Sequence, residues 1–141
     1  MNNYQIITDS GCDLPLEVRQ QLNVEMVSLT LRIRGEELQD SVSDEIRDLY
    51  AALRAGEVAS TAAINPDTWE KAMASVLEQG KDVLVLTFSS GLSTTYQSAV
   101  IAAADLQEKY PQRSIRVVDS LSASLVRVCC CGMPARSGMR A

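Results

Sequence analysis

Five hydroxyl side chains fall within seven residues of the segment FSSGLSTTYQSA: Ser89, Ser90, Ser93, Thr94 and Thr95. An apolar run precedes the segment and a long helical pattern follows it, so it stands where a strand gives way to a helix. At such a place unpaired backbone N–H groups and the positive end of the helix dipole favour an anion, and Gly91 allows a ligand close to the backbone. Serine and threonine also cap helices there, so both readings stand for any one of these hydroxyls. Five in seven exceed what capping requires. Two further stretches share the same character: TDS (Thr8, Asp9, Ser10) and the end of VVDS (Asp119, Ser120). Each aspartate is either a metal-binding carboxylate or the cap of the next helix. None of the three strand ends carries lysine or arginine.

Other chemistries are excluded by what the chain lacks. It contains no histidine, so neither a Ser-His-Asp or Cys-His device nor a His-ligated zinc site can be built within it. Of four cysteines, Cys12 stands alone, and Cys129, Cys130 and Cys131 are adjacent, without the C-x-x-C spacing that lets two thiolates reach one ion. G-x-x-x-x-G-K-[ST] and G-x-S-x-G are both missing, which removes the P-loop and the nucleophile elbow. With a net charge of −5 and scattered basic residues, the chain has no electrostatic grip for nucleic acid. No apolar run reaches the roughly 20 residues of a membrane span and the N-terminus is not a signal peptide, so the expected location is the cytoplasm. At 141 residues, 46% of them apolar, one domain with a real core is expected.

The elements that must position these groups follow from periodicity. YQIITDS, residues 4–10, reads as a buried strand. In GCDLPLEVRQQL, Asp13 is the expected cap, Pro15 sits in the first turn, and Leu14, Val18 and Leu22 share a face. Residues 24–33 read as a second strand. A helix over 41–56 has Ser43 as cap, Ile46, Leu49, Tyr50 and Leu53 as inward stripe, and Gly56 as stop. EVASTAAI reads as a linking segment. In the next helix Asn65 is the cap, Pro66 the first residue, and Trp69, Met73, Val76 and Leu77 the buried face. Residues 83–88 form a strand buried on both faces, a helix follows Gly91, and SIRVVDS supplies a last strand. This order predicts a three-layer α/β/α domain around a largely parallel sheet, with ligands beyond the carboxyl ends of the strands.

Several of these motifs together resemble the DegV family. IITDSGCDLP is similar to its T-D-S-x-x-D-L-P opening, STAAINPDTWEKA to its T-S-Q-P-S-P segment, SSGLSTTYQSA to its S-S-x-L-S-G-T-Y-x-S-A signature, and VVDSLSAS to the D-S that follows. Order and spacing agree from Tyr4 to Ser124. The resemblance implies a long-chain fatty-acid carrier that presents its ligand to a fatty acid kinase, which phosphorylates the carboxylate. Such proteins are not catalysts, so it implies no catalytic residue, cofactor or metal. It places the carboxylate contacts at Thr61 and Ser93; the strand ends and the hydroxyl cluster add Asp9, Ser10, Ser90, Thr94, Thr95, Asp119 and Ser120 as candidate supporting polar groups. Ala62 and Ala63 stand where the family has Ser-Gln, and Thr94 where it has glycine. The competing readings are a small α/β enzyme using Mg²⁺ at Asp9 and Asp119, and a regulatory domain for a small carboxylate or sugar phosphate.

The resemblance implies a first domain over residues 1–124, an aberrant tail over 125–141, and the absence of the family's second α/β domain. The tail itself suggests its origin. Val-Arg-Val-Cys-Cys-Cys-Gly-Met-Pro can be written GTG AGG GTT TGT TGT TGT GGT ATG CCN. With one G in front it regroups to Gly-Glu-Gly-Leu-Leu-Leu-Trp-Tyr-Ala, an apolar segment of the family's kind. The reading is a frameshift. Resequencing the gene should show that restoring one base after the codon for Leu125 leaves the frame open for about another domain's length. An early stop in the restored frame would overturn it.

Overall fold

The structure is a computed structural model that describes residues 3–39 and 44–123. Ser43, the side chain of Ile46 and the tail over 125–141 lie outside the described residues.

Four strands form a parallel sheet: β1 (Tyr4–Asp9), β2 (Val24–Val27), β6 (Asp82–Thr87) and β7 (Ile115–Asp119), in the order β2-β1-β6-β7. Between them the chain adds β3 (Thr30–Ile33), β4 (Glu36–Gln39) and β5 (Ala59–Ala62), an antiparallel sheet of order β4-β3-β5. The helices are α1 (Leu16–Leu22), α2 (Asp44–Arg54), α3 (Pro66–Glu78) and α4 (Thr95–Lys109).

Alternation along β1 sets the layers, because successive side chains of a strand point to opposite faces. Ile6 enters a cluster with Cys12, Leu14, Val24 and Leu86, against which Val18 and Leu22 of α1 pack. Ile7 enters the main core with Trp69, Met73, Val76 and Leu77 of α3 and Ala99, Ala102 and Leu106 of α4. The parallel sheet is thus sandwiched between α1 and the α3–α4 pair, as the three-layer pattern predicts. Trp69 and Met73 are wholly buried.

Local chemistry explains most element ends. Asn65 caps α3, its Oδ1 accepting the Thr68 N–H at 2.8 Å, with Pro66 in the first turn where a missing N–H costs nothing. Elsewhere the sequence expectations need correction. Asp13 does not cap α1: it sits at φ 52° and closes the short 3-10 turn Ser10–Cys12 by donating its N–H to Ser10 O at 3.2 Å. The expected single strand over 24–33 is broken after Val27, and its halves belong to different sheets. EVASTAAI is no linker, since residues 59–62 pair with β3. Tyr50 and Leu53, expected on an inward stripe, are exposed, so α2 turns less of its apolar side inward than its period suggested. The helix after Gly91 begins at Thr95, because residues 89–93 make turns closed by Leu92 and Ser93 N–H on Ser89 O.

Replacing Asn65 by alanine leaves the first turn of α3 with an unmet N–H. Asn65→Ala should lower stability by about 1 kcal/mol in urea unfolding, as a shift of midpoint at unchanged slope.

Candidate functional site

The strand order reverses between β1 and β6: the chain first steps from β1 outward to β2, then returns across β1 to β6. A crevice opens beyond the carboxyl ends of strands at such a point. The groove found there has a volume of about 720 Å³. It draws Gly11 and Asp13 from the end of β1, Thr61 and Ala62 from β5, and Phe88, Ser90, Leu92, Ser93 and Thr94 from the approach to α4.

The wall between β1 and β6 is held by Asp9. This residue is wholly buried, and its two carboxylate oxygens accept the N–H groups of Gly11 at 3.1 Å and Phe88 at 2.7 Å. Gly11 has no room for a side chain: a Cβ there would lie 2.9 Å from Phe88 Cδ2 and 3.1 Å from Asp9 Oδ1. Phe88 therefore lies directly over the turn that follows β1.

Several hydroxyls at the strand ends join neighbouring strands. Thr8 Oγ1 donates to Leu86 O at 2.8 Å, and Thr87 Oγ1 to Val118 O at 3.3 Å. Ser120 Oγ donates to Thr87 O at 2.6 Å. Ser10 Oγ accepts the Leu29 N–H at 3.0 Å, tying the β2–β3 connection to the end of β1. Asp119 Oδ1 accepts N–H groups from Ser90 at 3.2 Å and Leu121 at 3.0 Å. Hydrogen bonding from the Ser90 side chain, then from the Leu121 amide, holds the Asp119 carboxyl below the usual aspartate value.

The remaining polar groups face the groove or support those that do. Thr61 is exposed on β5, opposite Leu31 of β3, so the antiparallel sheet carries it to the groove. Ser93 is half-buried. Its Oγ accepts the Thr95 N–H at 3.2 Å and lies 2.8 Å from Thr95 Oγ1, with Thr95 itself wholly buried. The first i to i−4 bond of α4 runs from Ser98 N–H to Thr94 O. The Tyr96 and Gln97 N–H groups therefore have no carbonyl within the helix, the donor-rich end that an anion favours.

Of the residues singled out from sequence, Thr61, Ser90, Ser93 and Thr94 line the groove. Asp9, Ser10, Thr95, Asp119 and Ser120 stand behind it, in the bonds just given. The lining also includes Leu29, Phe88, Leu92 and Ala123, which sequence reasoning did not assign to a site. For Phe88 a signal existed: it follows a fully apolar strand and directly precedes the hydroxyl cluster. Among the described residues the lining contains no lysine or arginine, and its one ionisable side chain there is Asp13. Among the described residues no group of three or more His, Cys, Asp or Glu is placed to hold a metal ion. No helix there is long and apolar enough to cross a membrane.

Comparison with known proteins gives a consistent picture. The profile of the DegV family, described as uncharacterised proteins, matches residues 3–131. A DegV domain-containing protein of Clostridium perfringens is 36% identical over 127 residues, which make up 89% of this chain and 44% of that protein. A stearic acid-binding protein from Eubacterium ventriosum superposes with a TM-score of 0.87 at 26% identity, over 97% of this chain and 49% of that one. A DegV family protein from Thermus thermophilus, described by its fatty acid binding, gives 0.80 at 28% identity, over 99% and 49%. The chain spans less than half the length of the curated relatives it matches.

The Asp119 bonds make a measurable difference. Its carboxyl should titrate below an ordinary aspartate in an NMR titration, and Ser90→Ala should raise the midpoint. Because the folded-state value is depressed, the stabilisation is complete above the unfolded-state value and lost as pH falls through the folded one. Asp119→Asn should remove that part of the acid dependence.

Proposed function

The chain belongs to the DegV family, and on that premise we propose that it is a cytoplasmic carrier of long-chain fatty acid. In this reading residues 1–124 form the unit that holds the carboxylate, at Thr61 and Ser93, and presents it to a fatty acid kinase. One observation carries the reading most. Thr61 from one sheet and Ser93 from the approach to α4 line the same groove, although 32 positions apart in sequence. Beside them Leu29, Phe88 and Leu92 offer apolar surface to an acyl chain. The solved relatives described as stearic acid-binding and fatty acid-binding support the ligand class. The kinase is the partner that the family resemblance implies.

With no basic residue among the described residues of the lining, an anionic headgroup would be met by hydroxyls, amides and the α4 dipole. That suits a single carboxylate better than a phosphate ester carrying about two charges. A Mg²⁺-dependent enzyme at Asp9 and Asp119 has less support. Both Asp9 oxygens already accept backbone amides, and Asp119 takes two more.

Ser93→Ala tests the headgroup assignment. A hydrogen bond to a charged group contributes roughly 1.5–3 kcal/mol, so fatty-acid affinity should fall about ten- to a hundredfold. Thr61→Val should act in the same direction, and the two changes should be less than additive where both groups meet one carboxylate. Ser93→Ala also removes the acceptor of the Thr95 N–H, so a stability loss of about 1 kcal/mol is expected either way. Affinity decides. Unchanged binding in both variants would move the carboxylate away from this pair.

A further inference from the structure

We infer that Thr95 fixes the direction of the Ser93 hydroxyl and so makes Ser93 a hydrogen-bond donor toward the groove; this rests on the fatty-acid reading of that groove. The two hydroxyl oxygens lie 2.8 Å apart, a distance that leaves either one free to donate. Burial settles the matter. Thr95 is 0% exposed, and among the described residues its hydroxyl has no partner other than Ser93 Oγ. Were Ser93 the donor, the Thr95 proton would be buried with no acceptor, an arrangement that folded proteins avoid. Thr95 is therefore the donor.

The consequence for Ser93 follows by counting. A serine hydroxyl has two acceptor lone pairs and one proton. Thr95 Oγ1 and the Thr95 N–H, at 3.2 Å, fill both lone pairs. Only the proton remains, on a half-buried side chain that lines the groove. Two incoming bonds also polarise the O–H and strengthen what it donates. Ser93 is set to meet an acceptor, and a charged carboxylate most of all. Thr95 touches no ligand itself. It is a positioning residue, and the discrimination it supplies is for an ionised acid over a neutral lipid of equal length.

The test uses the full chain with stearic acid and stearyl alcohol as probes. Thr95→Val keeps the side-chain shape and removes the hydroxyl. It should weaken acid binding about tenfold, weaken alcohol binding by clearly less because a neutral hydroxyl accepts a weaker bond than a carboxylate, and add little to Ser93→Ala in the double variant. Thr95→Ser, which retains the hydroxyl, should keep the preference for acid. A merely structural role would weaken both lipids together. Should Thr95→Val fail to fold, NMR of the unaltered chain reads the bond directly, because a Thr95 hydroxyl proton donated in the interior exchanges slowly. Full acid preference in Thr95→Val alongside its loss in Ser93→Ala would overturn the inference while leaving the fatty-acid reading intact. So would a slowly exchanging Ser93 proton directed at Thr95. A chain that binds neither lipid overturns the fatty-acid reading, and the NMR measurement still decides the direction of the bond.

Discussion

A carboxylate shut away from water is costly unless hydrogen bonds replace its hydration, and the Asp9 carboxylate meets that condition with two backbone amides. One amide belongs to the turn leaving β1, the other to the residue leaving β6. These are the two central strands, and their separation beyond the sheet defines the crevice. The position of Phe88 over Gly11, and with it the start of the hydroxyl cluster, is fixed by this one group. Outward from it, the strand-end hydroxyls of Thr8, Thr87 and Ser120 link β1 to β6 and β6 to β7. The groove is lined by a few side chains and supported by several others that no ligand in it would touch.

That division explains why strand-end motifs of similar composition have different uses. TDS, the DS of VVDS and the SSGLSTT segment are all rich in hydroxyls, yet the first two mainly hold strands and turns together. Composition cannot separate the two uses, because a hydroxyl that bonds a neighbouring carbonyl and one that faces solvent are the same residue. Only the partner distinguishes them. Ser93 and Thr95, two positions apart, differ in this way: one half-buried at the groove, the other wholly enclosed behind it.

Much of the architecture was readable from periodicity. The buried stripe Trp69, Met73, Val76 and Leu77, the Asn65 cap and the four strands of the parallel sheet all follow from apolar spacing and capping chemistry. The antiparallel sheet was not. β3 read as the end of one strand over 24–33, while β4 and β5 are four residues each with almost no large apolar side chain, so neither length nor alternation marks those two out. Pairing between β3 and β5, more than twenty residues apart, creates them. The break after Val27 was hidden for a related reason: apolar residues continue on both sides of it, and only the different pairing partners of β2 and β3 show that the chain leaves one sheet for another. Thr61 was placed at a site by family resemblance alone, since its own segment read as a linker.

The strand reversal has a consequence for how this groove can change over time. The crevice exists because of chain topology, and its walls are held largely by backbone amides and carbonyls bonded to residues behind the lining. Lining residues such as Ala62, Ala63 and Thr94 contribute little to that scaffold, so exchanging them alters what the groove accepts without moving the groove. Location and occupancy are separable properties, and they are free to evolve at different rates. A few surface substitutions can remake the lining of a chain of this architecture, while a change at Asp9 or Gly11 would alter the place itself.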